Sequence, residues 1–248
     1  MCGVTHSAQA RGLDNPGWFS AEFAGRHMTP YSPPMAGGAL RRAGLRVAVA
    51  LGVLAWIGGI TLGMQRLWTY KSTPGANAAA PATWPGSKLI QPTTGKSTLV
   101  MFAHPLCSCT RASLAELDSI LQHSDGRVAA WVLFLHPDRA PDWWEKSATW
   151  DAARRLPFAH VAIDQGGAEA NRFHASTSGQ VVLYDANGRL QFSGGITGAR
   201  GHVGDNSGKA RVVSFVNTGT ADAHDHEVFG CGLHDPNPRM DADPDGAK

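Results

Sequence analysis

Val47–Met64, VAVALGVLAWIGGITLGM, runs for 18 residues without a charged side chain. As a helix rising about 1.5 Å per residue, it nearly spans the roughly 30 Å hydrocarbon core of a bilayer. A cleaved signal peptide would need a shorter apolar core and a small-residue cleavage site directly behind it. Gln65, Arg66 and Trp68 follow instead, and the nearest Ala-x-Ala pattern, Ala78–Ala80, lies too far downstream. Residues 46–65 are therefore expected to be an uncleaved transmembrane signal anchor. Arg41, Arg42 and Arg46 precede the span, against Arg66 and Lys71 after it. The positive-inside rule then puts the N-terminus in the cytoplasm and the soluble part outside it, on a single-pass inner-membrane protein.

Ahead of the anchor, Asn15-Pro16-Gly17 and Tyr31-Ser32-Pro33-Pro34 show no amphipathic period. A start at Met35 would leave MAGGALRRAGLR before the apolar run, as signal anchors usually begin. Residues 1–40 are expected to be a disordered cytoplasmic tail or an over-extended gene start, and Cys2 to carry no function. Residues 66–92, rich in Pro, Ala, Gly, Ser and Thr, read as a linker. Residues 93–233 hold the folded domain, and the Pro- and Asp-rich residues 234–248 read as disordered.

Within the domain, Thr98–His104 (TLVMFAH) is a continuous apolar run, as expected of a strand covered on both faces. Ala112, Leu114, Leu117, Ile120 and Leu121 follow at helical spacing, with Ser108 or Thr110 available as N-cap. Val128–Leu135 predicts a second buried strand. Pro141 opens a second helix with Trp144, Ala148, Ala152 and Leu156 on one face. Ala159–Asp164 is a third strand and Ala168–Phe173 a short helix. Gln180–Tyr184 and Arg189–Ser193 form a hairpin across Asp185-Ala186-Asn187-Gly188, and a last helix falls around Lys209–Asn217. The order βαβαβαββα implies an α/β domain: a mainly parallel central sheet, helices on both faces, and a C-terminal antiparallel hairpin.

Four cysteines, Cys2, Cys107, Cys109 and Cys231, are too few for a disulfide scaffold in 248 residues. Two of them meet at the strand-to-helix turn. A helix start favours a thiolate through its unpaired N–H groups and partial positive charge, and Arg111 adds to it. Cys107 is thus the candidate nucleophile and Cys109 the candidate resolving thiol. Residues i and i+2 of a helix point about 200° apart, so a Cys107–Cys109 disulfide requires Cys107 to stay outside the helix.

Other signals exclude or leave open further functions. The net charge of +2 argues against a nucleic-acid partner. Gly95-Lys96-Ser97 is not a phosphate-binding loop: Ile90 stands where its first glycine belongs, and a strand follows. Gly204–Ala210 lacks the glycine spacing and the hydroxyl after lysine, so no nucleotide is expected either. Trp143, Trp144 and Trp150 read as core packing. In the long loop Gly194–Gly208, Arg200, His202 and Asp205 are placed either to line the cysteine site or to form a surface excursion.

The segments HPLCSCTRASLAEL, TSGQVVLYDANGRLQFSGGITGARGH and VFGCGL resemble the RedB group of thioredoxin-like proteins, relatives of the periplasmic TlpA and Sco proteins. The resemblance covers roughly residues 88–233. It implies a thioredoxin-like fold and thiol–disulfide oxidoreductase chemistry on periplasmic or membrane protein thiols, with no cofactor. Two departures stand out. Thioredoxins carry Cys-x-x-Cys, and they place a cis-proline before the hairpin, where this chain has Ser178-Gly179. The Pro-x-x-x-Thr-x-x-Cys pattern of peroxide-reducing relatives is not supplied by Pro105-Leu106-Cys107.

Without that proline there is room for a metal, and soft thiolates with imidazole suit Cu(I) or Zn(II). The alternative reading is a copper or zinc assembly protein, similar in logic to Sco proteins, with Cys107, Cys109, His104 and Cys231 as ligands. Cys231 is otherwise a distal resolving thiol or a small buried residue. His104 is otherwise a strand-end histidine bonded to backbone, and His224 and His226 solvated tail residues.

Overall fold

The computed structural model describes residues 37–138, 140–141, 144, 147–219 and 226–233. Residues 1–36 with Cys2, Trp143, His224 and the tail from 234 lie outside them.

Helix α1, Gly37–Ser72, is long and apolar enough to cross a membrane, and its side chains are exposed almost throughout. It contains the expected span but starts at Gly37, so residues 37–40, expected to be disordered, are helical. Contacts divide the chain into two compact units within this helix, up to Trp56 and from Ile57.

Strand β1, Ser97–Ala103, occupies the sheet centre, in the order β3-β2-β1-β4-β5. It runs parallel to β2 (Val128–His136), which runs parallel to β3 (Ala159–Gln165). On its other side it pairs antiparallel with β4 (Gln180–Tyr184), and β4 with β5 (Leu190–Gly195). Being covered on both faces, β1 is apolar from Leu99 to Ala103. Leu99, Met101 and Ala103 enter one core, Val100 and Phe102 the other.

The first core is closed by α2 (Ser108–Gln122), α3 (Ala148–Ala153) and α5 (Ser207–Thr218), through Leu114, Leu117, Ile120, Ala153, Val212 and Phe215. Leu117, wholly buried, contributes about 1.5–3 kcal/mol by leaving water. On the second face the only helix among the described residues is the short α4 (Ala168–Arg172), whose start is capped by Asp164. Its carboxylate accepts from Glu169 N and Ala170 N at 2.7 and 2.8 Å.

Irregular chain covers the rest of that face, which corrects the expected linker over 66–92. The helix continues to Ser72, and residues beyond it pack on the domain. Trp84 N donates to Gly188 O at 2.8 Å, Tyr184 Oη to Pro81 O at 3.0 Å, and Ile90 is fully buried. Three apolar side chains, Ala80, Trp84 and Ile90, outweigh the flexible composition around them.

The second helix is also shorter than its periodicity predicts. Ser147 accepts from Trp150 N at 3.2 Å and starts α3 at Ala148. Trp144 lies before that cap, its indole donating to Leu135 O at 2.7 Å. It is buried core, as read. Otherwise the element order agrees with the sequence reading, and the domain has the thioredoxin-like fold.

Candidate functional site

The cysteine pair sits where β1 ends and α2 begins, at the carboxyl edge of the parallel strands. Cys107 is the N-cap residue of α2, extended at φ −80° and ψ 120°, and its side chain makes no capping bond. It therefore lies outside the helix, while Cys109 is its second residue. Neither Ser108 nor Thr110 caps, contrary to the sequence expectation. The Thr110 hydroxyl donates instead to His104 O at 3.0 Å, tying the helix start back to the strand end. Cys107 N donates to the same carbonyl at 3.1 Å, and Thr149 Oγ1 holds Pro105 O at 2.8 Å.

Cys231 reaches this turn. Its sulfur is 2.9 Å from that of Cys107, inside ordinary van der Waals contact and about 0.9 Å beyond a disulfide bond. Cys107 and Cys109 are buried, Cys231 partly exposed. Hydrogen bonds from the Cys109 and then the Cys231 thiol hold Cys107 far below the usual thiol range, against the opposing effect of burial. The same bonds, with Cys107 as their acceptor, push Cys109 and Cys231 up. Of the three sulfurs, Cys107 is the one shifted down and Cys109 and Cys231 the ones shifted up.

The proline slot is filled by Ser178-Gly179, and each residue has a task that proline cannot perform. Ser178 N donates to Cys231 O at 2.8 Å. Its hydroxyl accepts from His104 N at 2.9 Å and lies 3.0 Å from Thr110 Oγ1. Gly179 has φ +90°, and a β-carbon there would fall 2.7 Å from Ser113 Oγ.

His104 follows the backbone-bonded reading. Its Nδ1 accepts from Leu106 N at 3.2 Å, and its ring meets Trp144 edge-on at 5.2 Å. Burial lowers its pKa, the Cys107 charge opposing, so the ring is neutral at pH 7. Among the described residues no group of three or more His, Cys, Asp or Glu is arranged to hold a metal ion. His226 is not a solvated tail residue: Ser207 Oγ lies 2.6 Å from its Nε2.

Of the loop residues named from sequence, Arg200 reaches the site. Its guanidinium donates to Gly230 O, and its charge favours ionisation of Cys109. It also lies 5.0 Å over the Tyr70 ring, and its amide donates to Lys71 O at 3.1 Å. Asp205 is exposed beside Lys209, 4.0 Å away. The sequence reading gave no part to Ser178 as a hydrogen-bonding residue, nor to Gly230. The available signal was the pair of glycines flanking Cys231.

No protein-family model matches the chain, and no curated protein does. Similar solved structures include a hypothetical protein from Sinorhizobium meliloti 1021, at 17% identity and TM-score 0.47, covering 66% of this chain and 93% of that one. Another is an uncharacterized conserved protein from Geobacillus kaustophilus, at 11% identity and TM-score 0.48, covering 67% and 92%. StoA from Bacillus subtilis is similar at 18% identity and TM-score 0.35, covering 49% and 88%.

Proposed function

We propose that this chain is a membrane-anchored thiol–disulfide oxidoreductase, with Cys107 as nucleophile and its domain outside the cytoplasm. The observation that carries the reading is the Cys107 sulfur at the start of α2, 2.9 Å from a second thiol of the same chain.

The Cys107 thiolate attacks one sulfur of a partner protein's disulfide, and the other partner sulfur leaves as a thiolate. Cys231 then attacks the Cys107 sulfur. The partner's second sulfur leaves, so two thiols of this chain are oxidised as one partner disulfide is reduced. The reverse sequence oxidises a partner dithiol by the same path. The 2.9 Å separation supports Cys231 as the resolving thiol, with Cys109, the resolving thiol expected from sequence, as a hydrogen-bond donor to Cys107.

Cys231→Ser is expected to accumulate mixed disulfides on Cys107, resolved on a non-reducing gel and mapped by mass spectrometry, with Cys107→Ser accumulating none. The reading fails if the Cys109→Ala/Cys231→Ser double variant traps nothing and wild-type Cys107 titrates as an ordinary thiol. Anaerobic titration with Cu(I) tests the carrier alternative. Stoichiometric binding lost on Cys107→Ala would replace the exchange reading.

A further inference from the structure

The segment that brings Cys231 to Cys107 is seated like a sheet strand. Ser178 N donates to Cys231 O at 2.8 Å and Leu233 N to Ser176 O at 2.9 Å, with Thr177 and Gly232 as the bridged antiparallel pair. Upstream the segment is rooted by three further backbone bonds: His226 N to Ser193 O, Gly195 N to Glu227 O, and Gly75 N to Val228 O, at 3.0, 3.2 and 2.8 Å. Between root and strand stands Gly230. A β-carbon there would fall 1.8 Å from Ser178 O, a backbone atom that cannot swing aside. The seat therefore tolerates no side chain immediately before the cysteine. Arg200 holds the carbonyl of this same glycine.

Beneath the strand, Cys107 is only 3% exposed. An in-line attack needs a foreign sulfur next to the Cys107 sulfur, in space that the Cys231 sulfur and its strand already fill. The site as it stands is closed by its own chain.

We propose that Gly230–Leu233 is a displaceable strand that closes the thiol site, and that the seat it vacates selects an extended protein segment with glycine directly before its reactive cysteine. The cycle rests on the exchange chemistry above; the closure does not. With the strand unseated, the partner's disulfide engages Cys107. Reseating brings the Cys231 sulfur onto the Cys107 sulfur: Cys231 gives its proton to water and bonds to Cys107 as the Cys107–partner bond breaks, and the partner leaves as a thiolate that takes a proton from water. Tail and partner need the same backbone edge, so resolving the mixed disulfide and expelling the product are one event.

The test uses the reduced full-length protein. Iodoacetamide labelling of Cys107, mapped by peptide mass spectrometry at fixed pH, is expected to be about tenfold faster in Gly230→Ala, because labelling follows the open population. Arg200→Met, which loosens the strand without crowding it, is expected to give a smaller rise. On Arg200→Met, the peptide Val-Phe-Gly-Cys-Gly-Leu, activated as its thionitrobenzoate disulfide, should react about tenfold faster than Val-Phe-Ala-Cys-Gly-Leu, a discrimination worth about 1.4 kcal/mol. Unchanged labelling in both variants overturns the closure, and equal rates for the two peptides overturn the selection. If mixed disulfides still accumulate in Cys231→Ser, the exchange reading survives that failure.

Discussion

The amide of Ser178 donates to the carbonyl of Cys231 across 2.8 Å, within the Ser178-Gly179 pair where the thioredoxin resemblance leads one to expect a proline. A proline has no N–H to give. A proline at 178 would therefore break the contact that seats the late cysteine.

Ser178→Pro removes that donor and the hydroxyl acceptor of His104 N together. Each buried group left unpaired costs about 1–3 kcal/mol. The variant is expected to melt several degrees lower and to lose the Cys107–Cys231 disulfide that a mild oxidant forms in the wild type, read by mass spectrometry. Ser178→Ala keeps the N–H and should retain the disulfide.

A thiolate held at Cys107 predicts a pH signature. Its folded pKa is depressed, so its contribution to stability is fully present above the unfolded value of about 8.5 and is lost as pH falls through the folded value. Cys109 and Cys231 are shifted the opposite way. Their contribution is present below about 8.5 and lost as pH rises through their folded values. Thiolate absorbance in the ultraviolet should show one equivalent persisting below about pH 8.5, where free cysteine becomes protonated. That equivalent should vanish in Cys107→Ser, and alkali should weaken the fold above about pH 9.

The long loop is tied down by charge. Glu116, 1% exposed on α2, meets Lys209 Nζ at 2.8 Å, and its other oxygen accepts from Gly204 N at 2.5 Å. Lys209→Met strands a buried carboxylate, and breaking such a pair costs about 3–5 kcal/mol. The lower end is expected, because Lys209 keeps 18% exposure. Adding Glu116→Gln should recover part of the loss in a denaturant melt, since the stranded charge is then gone.

The sheet's centre was readable because β1 and β2 are mostly buried, so TLVMFAH and VAAWVLFL announce themselves by continuous apolarity. The Cys107 turn was readable because the reactive residue is covalently next to the strand that places it. Residues 66–92 were misread because composition averages over a segment, while packing depends on single side chains such as Ile90. The pairing of Cys107 with Cys231 was left open for a related reason. It depends on backbone contacts between Ser176–Ser178 and Cys231–Leu233 that have no periodicity, and on one glycine whose role is an absence of atoms.

The anchor reading of α1 is testable apart from the thiol chemistry. Leu51, Val53, Leu54, Trp56, Ile57, Ile60 and Leu62 are all exposed on the helix, an apolar surface far larger than single scattered residues would give. The wild-type protein is therefore expected to stay with membranes through an alkaline carbonate wash and to be released by detergent. A charge at the helix centre opposes insertion by about 2.5–3.5 kcal/mol. Leu54→Arg should move a measurable fraction into the carbonate supernatant, and a second arginine at Gly58 most of it. Complete release of the wild type by carbonate would show that α1 does not span, and the thiol domain would then have no anchor of its own.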